Sequence, residues 1–370
     1  MAPITKPSTS PKLPVSSPVV TFREMEYVAD ALKAGHLSWN GAYVGRFEDA
    51  LRAQTRATEA IVCSSGTAAL HLTLLALNLG PRDDVYVPAL SYIATANAVT
   101  YTGARPIFCD VDETWCIDPE EVRRAILSTL RAGRRPRAVV AVHLYGVVAD
   151  MDGLADVCRP LGVEIIEDAA EAHGAFYRQR EVGTLGTLAA FSFFANKIVA
   201  TGEGGAVTTN RADLAERVRL YRGQGQTPGA RFQHEVVGYN YRMTNLQAAV
   251  GCAQMQDLPK AVAHRERIAA WYAEGLPDAT FQPSRTACSR VHWLVSLEVD
   301  HRDALMAHLD DAGIETRPVF PALTDQAPYR QYTPPTTKRI AARGISLPTH
   351  GKMTEADVRR VVDAIQSFRP

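Results

Sequence analysis

The sequence predicts an α/β protein with a mostly parallel central sheet and a smaller C-terminal α+β domain. Within residues 84–168, short β-rich runs alternate with helical segments, which is typical of parallel strands covered by helices on both faces. The chain has 370 residues, 46% of them hydrophobic, so it can bury a large core and form two or three domains. Ligands bind such sheets at the carboxyl ends of the strands, so polar residues that follow the strands are candidate site residues.

The alternating region contains clear signals for the ends of its helices. Asp118 can cap a helix, and Pro119 fits the first turn because a proline needs no N–H partner there. Gly162 is a typical residue for the end of another helix. We expect strands at 84–88, 106–111, 138–142 and 163–168, and helices at 92–101, 118–131 and 151–161.

The C-terminal part of the chain has a different pattern and predicts a second domain. Pro259 follows an expected helix end at residue 258, so we place the domain boundary near residue 256. Thr354 and Asp357 have the spacing of a capping box and begin the last helix. The expected elements here are helices at 212–221, 244–258 and 302–312 and a strand at 291–299. The predicted units are a disordered Pro- and Ser-rich leader at 1–17, a large ligand-binding domain at 18–256 and a small domain at 257–370.

Charge and composition exclude several classes of function. Lysine plus arginine and aspartate plus glutamate number 40 each, which argues against nucleic acid or an anionic membrane as a partner. The six cysteines are scattered without a C-x-x-C pair, so we expect neither a disulfide framework nor a metal site. The leader has no apolar centre, and the longest apolar stretch, at 138–149, is too short to cross a bilayer. We therefore expect a cytoplasmic protein.

Lys197 lies between an aromatic strand and a glycine-rich turn. The window runs from Phe191 to Lys197, and the glycine-rich turn occupies 201–205. A lysine held there out of water can act as a nucleophile toward a cofactor. The simpler interpretation is a surface lysine at the end of a strand, and this window alone favours it.

Asp168 ends an apolar strand at the sheet edge expected to face the ligand. A carboxylate there can keep a pyridine nitrogen protonated, which pyridoxal phosphate requires to act as an electron sink. A helix cap or a Mg²⁺ ligand would also explain this residue, and the segment alone does not decide between these interpretations.

Small polar residues at 64–67 open an apolar helix and predict a phosphate site. Gly66 and Thr67 would present backbone N–H groups at the positive end of the helix. The segment is neither a P-loop nor a dinucleotide fingerprint, and an ordinary helix cap is the structural alternative.

Two aromatic segments complete the candidate site. Tyr92 lies where a strand meets a helix, so its ring could stack on a flat heterocycle, although a single tyrosine more often fills a core. The polar, aromatic loop at 238–245 contains a capping box that leaves Asn240 and Arg242 without a structural role. An amine, a carboxylate, a ring face and a phosphate site together predict pyridoxal 5′-phosphate as the cofactor.

These motifs resemble the DegT/DnrJ/EryC1/StrS family of sugar aminotransferases, which have the aspartate aminotransferase-like fold. The resemblance implies that Lys197 joins the cofactor covalently and is, with Asp168 at the pyridine nitrogen, a catalytic residue. It further implies the following cofactor contacts: Tyr92 on the ring, Glu171 by the phenolic oxygen, and Ser192, Gly66 and Thr67 at the phosphate. The segments that carry the resemblance lie at 41–44, 65–70, 143–146, 167–174, 191–205 and 238–243.

The family implies a homodimer with shared active sites, in which Asn240 reaches the phosphate held by the partner subunit. It also implies a two-step reaction in which glutamate donates its amino group through pyridoxamine phosphate and a nucleotide-linked keto sugar accepts it. His173, Arg242 and Arg317 are candidate substrate residues, with a buried histidine or an ordinary ion pair as the alternatives. No metal is expected.

Segments at 191–205, 222–225 and 317–321 resemble the perosamine-forming branch, which aminates C4 of GDP-4-keto-6-deoxymannose for deoxyaminosugar biosynthesis. Ala195 and the apolar run at 147–149 depart from that branch and leave the sugar open. The alternatives are a dTDP- or UDP-linked keto sugar and a keto-aminocyclitol. A non-catalytic regulator that binds pyridoxal phosphate is a remote alternative.

Overall fold

The computed structural model describes residues 12–227, 229–286 and 288–369, which form a seven-stranded mixed sheet, two smaller sheets and helices packed around them. The strands in chain order are β1 Glu59–Cys63, β2 Asp83–Pro88, β3 Arg105–Cys109, β4 Arg135–Val142, β5 Glu164–Asp168, β6 Phe176–Tyr177, β7 Arg180–Glu181, β8 Leu188–Ser192, β9 Gly205–Thr209, β10 Thr280–Phe281, β11 Cys288–Ser289, β12 Val295–Glu298, β13 Arg317–Pro318 and β14 Gly344–Leu347.

The helices pack around the sheets, and α4, α5 and α6 alternate with the parallel strands as the sequence predicts. They are α1 Phe22–Lys33, α2 Ala42–Thr55, α3 Gly66–Ala76, α4 Ala94–Tyr101, α5 Pro119–Arg131, α6 Met151–Cys158, α7 Ala212–Arg222, α8 Asn245–Gly275, α9 Arg302–Asp311, α10 Pro335–Arg343 and α11 Glu355–Ser367. Asp118 and Thr354 cap α5 and α11 as expected. No helix within the described ranges is long and apolar enough to span a membrane.

The central sheet has the strand order β1-β9-β8-β5-β4-β2-β3. Strands β8, β5, β4, β2 and β3 run parallel, and β9 runs antiparallel to both of its neighbours. This confirms the mostly parallel sheet and adds one reversed strand. Because β1 and β8 both oppose β9, the carboxyl ends of six strands reach the same edge, and the segments that follow them can meet there.

The helix expected to end at residue 258 continues to Gly275, so that helix end is wrong. Pro259 lies inside α8, where the tertiary contacts of the helix outweigh the loss of one backbone hydrogen bond. The predicted boundary at 256/257 therefore falls within a continuous helix. Before the proline, α8 packs in the main core through Met255, and after it in a second core through Ile268.

The N-terminal segment differs from the expected leader over residues 12–17. Leu13 pairs with Ile314, and Val15 is fully buried in the main core, so the expectation of disorder is wrong for these residues. The apolar side chains at 13 and 15 explain the difference, because an extended segment can bury them even among prolines. The rest of the predicted leader, residues 1–11, lies outside the described residues.

The second core supports a four-stranded sheet in the order β10-β12-β14-β13. Strand β12 is shorter than the expected strand at 291–299. Residues 291–294 lie outside the strand, and Val291, Trp293 and Leu294 pack in the main core. This departure brings Trp293 and Leu294 to the carboxyl edge of the central sheet.

Candidate active site

A cavity of about 390 Å³ opens at the carboxyl edge of the central sheet, within the usual size range of small-molecule sites. Segments that follow β1, β2, β4, β5 and β8 form most of its wall. Residues in and beside the four-stranded sheet close the other side. The lining residues used below are Gly66, Thr67, Tyr92, Thr95, Tyr145, Asp168, Glu171, Ser192, Asn196, Lys197, Trp293, Arg317 and Phe320.

Lys197 lies on this wall in the turn after β8. Its side chain is only 11% exposed, and Nζ donates a 3.2 Å hydrogen bond to Oε1 of Glu171. The same nitrogen lies 3.7 Å from the centre of the Trp293 ring. The surface-lysine alternative is therefore wrong, because the amine is enclosed by an acid and an aromatic face.

Asp168 ends β5 and points its carboxylate into the cavity. Oδ2 accepts a 2.8 Å hydrogen bond from Thr95 Oγ1, and Oδ1 accepts one from the Ala170 amide. Burial raises the pKa of Asp168, while the Thr95 bond, the Ala170 bond and Lys197 oppose that rise. A buried carboxylate with room beside it can hold a protonated ring nitrogen.

Glu167 faces the opposite side of β5 and has a structural role. Its carboxylate accepts hydrogen bonds from His143 Nε2 and from the backbone amides of Gly183, Leu185 and Gly186. The acidic pair at the end of the strand therefore divides into one residue that supports a loop and one, Asp168, that faces the cavity.

Glu171 is the acid nearest the amine. Its Oε2 accepts a 2.7 Å hydrogen bond from the Tyr145 amide, and burial raises its pKa against the opposing effect of Lys197. Tyr145 has a left-handed backbone with φ 53°, which is uncommon outside glycine and typical of functional sites. The next residue, Gly146, leaves no space for a Cβ, which would lie 1.9 Å from the Val291 carbonyl oxygen.

The N-terminus of α3 and the end of β8 form a cradle that fits a phosphate. A Cβ at Gly66 would lie 2.6 Å from the Ser192 Cβ, so only glycine allows this approach. Ser65 caps the helix at Ala68, and the amides of Gly66 and Thr67 belong to the first turn, which has no intrahelical partners. An anion at this position would also meet the Ser192 hydroxyl.

Tyr92 stands at the mouth of the cavity. Helix α4 begins at Ala94, two residues after the expected start, so Tyr92 lies in the preceding loop with 59% of its surface exposed. Its ring centre is 5.7 Å from that of Phe320. An exposed ring beside a cavity can cover a flat ligand, whereas the core-filling alternative does not fit this exposure.

Of the three candidate substrate residues, only Arg317 lines the cavity. Arg242 packs over Trp39, with its guanidinium carbon 4.9 Å from the ring centre, and bonds to the exposed Asn240. His173 is buried against Phe191 and Phe193, behind the cavity wall. Asn240 does not line the cavity of its own chain, so a contact with a cofactor there would require a second chain.

Several lining residues were not among the sequence-based candidates. Thr95 lies three residues after Tyr92, Tyr145 belongs to a segment already noted for its resemblance, and Asn196 directly precedes Lys197. Trp293 precedes β12 and Phe320 follows β13, so both reach the site from beside the four-stranded sheet, far away in sequence from Lys197. In the sequence, Trp293 was noticeable only as a tryptophan within the expected strand at 291–299, which does not indicate a contact with the site.

These groups fit pyridoxal phosphate as the bound cofactor. The cradle at Gly66 suits its phosphate, Asp168 suits the ring nitrogen, and Lys197 is enclosed where an aldehyde could reach it. The buried Asn196 Oδ1, which has no partner in the described chain, also borders the space for a ligand.

Comparison with known proteins gives consistent matches along nearly the whole chain. The model of the DegT/DnrJ/EryC1/StrS aminotransferase family matches residues 19–366. A GDP-perosamine synthase of Caulobacter vibrioides is 41% identical, covering 97% of this chain and 98% of that protein. A GDP-perosamine synthase of Escherichia coli O157:H7 is 37% identical over 96% and 98% of the two chains.

A solved structure has the same fold. DesV of S. venezuelae, crystallised with a ketimine intermediate, superposes with a TM-score of 0.87 at 34% identity, covering 93% of each chain.

Proposed function

Because the chain belongs to the DegT/DnrJ/EryC1/StrS aminotransferase family, whose members use pyridoxal phosphate, we propose that it aminates C4 of GDP-4-keto-6-deoxymannose with glutamate as donor. The product would be GDP-perosamine, a building block for deoxyaminosugar glycosylation. The relatives named GDP-perosamine synthase support this acceptor, since they match nearly the full length of the chain.

The observation that carries the proposal is the placement of Lys197, Asp168 and Glu171 around one cavity. A nucleophilic amine lies against one buried acid, and a second buried acid lies at the end of the neighbouring strand. A regulator would need to bind the cofactor but would not need an enclosed amine with a proton-accepting partner, so this arrangement favours an enzyme.

We assign the cofactor contacts from the positions of the side chains. Gly66, Thr67 and Ser192 would hold the phosphate, Asp168 the ring nitrogen and Tyr92 the ring face. When bound, the cofactor supplies an electron sink for the carbon that loses a proton. Asp168 contributes by keeping the ring nitrogen charged, because its own burial makes a nearby cation favourable.

Lys197 would move the proton. Its Nζ would take a proton from Cα of the donor glutamate and give one to the cofactor carbon that carries the amino group. With the sugar, Nζ would take a proton from that cofactor carbon and give one to C4. Glu171 orients this amine through the 3.2 Å hydrogen bond. The wall formed by Trp293 and Phe320 excludes water while the amine is free.

Arg317 supports glutamate as the donor. Among the described residues that line the cavity, only Lys197 and Arg317 carry a positive charge, and Lys197 is committed to the reacting atoms. Arg317 makes one long ion pair, 3.4 Å to Glu315, with its side chain 43% exposed. A substrate carboxylate could therefore bind it in a forked geometry.

We propose a homodimer because Asn240 is exposed on the loop at 238–243 and does not line the cavity of its own chain. Phe232 and Val237, which precede this loop, are 81% and 86% exposed and would be covered by a second copy. In a closed two-fold dimer each site would borrow Asn240 from the other chain.

A mixing experiment tests the shared site. Lys197→Ala and Asn240→Ala dimers should each be inactive, whereas random exchange of subunits should restore about one quarter of the wild-type activity, because half of the dimers have one intact site. Sites confined to one chain would regain nothing on mixing.

The six cysteines are unpaired thiols, as expected in a reducing compartment, so we place the reaction in the cytoplasm.

The acceptor is tested by incubating enzyme and glutamate with GDP-4-keto-6-deoxymannose, a dTDP-linked keto sugar or a keto-inositol, followed by mass spectrometry and NMR. Amination of the GDP sugar at C4 supports the proposal, and exclusive amination of another acceptor overturns it. Lys197→Ala serves as the inactive control.

A further inference from the structure

Trp293 contacts the lysine segment in two ways. Its indole Nε1 donates a 2.7 Å hydrogen bond to the carbonyl oxygen of Asn196, the residue before Lys197. Its ring face lies 3.7 Å from Lys197 Nζ. One buried side chain, two residues before β12, thus contacts both the backbone of this turn and the amine at the end of the lysine.

The ring of Trp293 is also linked to the acid that faces the lysine. It stacks on Tyr145 with an interplanar angle of 10° and a centroid distance of 5.8 Å. The Tyr145 amide donates to Glu171, and Glu171 accepts from Lys197. The four residues form a closed set of contacts, so the aromatic face and the carboxylate hold the amine from fixed directions.

Buried groups hold Trp293 in place from behind. Its carbonyl oxygen accepts a 3.0 Å hydrogen bond from Arg265, which is buried and also bonds to the Thr349 carbonyl oxygen at 2.6 Å. On the other side of the turn, Ser16 donates a 3.1 Å hydrogen bond to the same Asn196 oxygen. The tryptophan is therefore a rigid support and not a mobile cover.

We propose that Trp293 is a positioning residue for Lys197, which holds Nζ against its ring face whenever that amine is not joined to the cofactor. The ring packs against the amine in either protonation state, so it orders Nζ when the amine is neutral and reactive as well as when it is protonated. A free lysine side chain otherwise samples many rotamers, and ordering it costs free energy at each turnover. The inference holds for any acceptor, so it does not depend on the sugar proposed above.

The capture of the cofactor by apoenzyme separates this role from a structural one. Trp293→Leu removes the ring face and the N–H donor, and Trp293→Phe keeps a weaker face without the donor. Trp271→Phe is the matched control, since this half-buried tryptophan on α8 does not line the cavity. Pyridoxamine phosphate, which cannot join a lysine, reports the affinity of the cradle by equilibrium dialysis. Borohydride trapping reports the rate at which pyridoxal phosphate becomes joined to Lys197.

We expect all four proteins to bind pyridoxamine phosphate within about twofold of one another. Because the amine would lose its fixed orientation, the rate of joining should fall about tenfold in Trp293→Leu and about threefold in Trp293→Phe, and remain unchanged in Trp271→Phe. Joining at the wild-type rate in Trp293→Leu, or a loss that only parallels weaker pyridoxamine phosphate binding, would overturn the proposal. If Trp293→Leu does not fold, an unchanged rate in Trp293→Phe overturns it. A wrong acceptor in the proposed function would leave all these rates as expected.

Discussion

Thr95 Oγ1 donates a 2.8 Å hydrogen bond to Asp168 Oδ2 inside the cavity wall, where both side chains are buried. Thr95 lies on α4 and Asp168 ends β5, so the bond joins a helix to the strand beside the candidate cofactor. Since the bond favours the charged carboxylate, Thr95 acts on the site through Asp168.

Replacing Thr95 by valine should lower kcat by about tenfold or more. Burial already raises the pKa of Asp168, and without the Thr95 bond the pKa would rise further, so less of the carboxylate would be charged. Hydrogen bonds to charged groups are worth about 1.5–3 kcal/mol. Steady-state rates for Thr95→Val and the hydroxyl-bearing Thr95→Ser measure the effect; equal rates in the two variants would contradict this role.

Substitutions at two neighbouring residues of β5 should affect different properties, one the stability and the other the rate. Glu167→Gln should lower the free energy of unfolding by about 2 kcal/mol, because an amide cannot accept all the hydrogen bonds from His143 and from residues 183–186. Asp168→Asn should reduce kcat on the order of 100-fold with little loss of stability. Urea unfolding and rate measurements on both variants test this division; a folded Glu167→Gln protein as inactive as Asp168→Asn would refute it.

Gly66→Ala should weaken cofactor binding by at least about tenfold. The new Cβ would lie 2.6 Å from the Ser192 Cβ, and the forced separation would open the phosphate cradle. Gly45→Ala is the control, because a Cβ on α2 meets nothing within 4 Å and should stabilise the helix by about 0.5–1 kcal/mol. Equilibrium dialysis with pyridoxamine phosphate gives the affinities, and wild-type affinity in Gly66→Ala would exclude this cradle.

His173 should make stability fall at acidic pH. Burial, followed by the charge of Lys197, lowers its pKa to about 3. Between pH 6.5 and 3 the unfolded chain binds a proton that the folded chain does not, so the neutral histidine stabilises the fold above this range and the benefit is lost as the pH falls.

His173→Leu should therefore lose less stability than the wild type when the pH falls from 7 to 5, by about 2 kcal/mol. Asp168 and Glu171, whose pKa values burial raises, act in the opposite direction and are present in both proteins. Urea unfolding at several pH values measures the difference, and parallel curves for the two proteins would show that His173 does not titrate in this way.

The local patterns of the chain were enough to predict the alternation of strands and helices. Asp118 before Pro119 marks a helix start that depends only on neighbouring residues, and it was confirmed. The continuation of α8 through Pro259 could not be predicted in this way, because contacts with two separate cores stabilise that helix. The reversed strand β9 likewise depends on pairing between distant segments.

The candidate site divides in the same manner. Asp168 and Tyr92 each lie at the end of a strand of the predicted sheet, so the rule for the carboxyl edge placed them together. Trp293 and Thr95 act through contacts with residues far away in sequence, and no local pattern indicates those contacts. His173 lies in a segment rich in site residues, but strand and turn geometry put it behind the wall.

We propose that the chain transfers an amino group from glutamate to a GDP-linked keto sugar, with Lys197 as the residue that joins the cofactor and moves the proton. The most direct measurement is the visible absorption of the purified holoenzyme, first with glutamate alone and then with each keto acceptor. Glutamate should abolish the band of the lysine-bound cofactor, and GDP-4-keto-6-deoxymannose should restore it. Restoration by a dTDP sugar or a keto-inositol alone would contradict the acceptor, and a band unaffected by glutamate would contradict the donor.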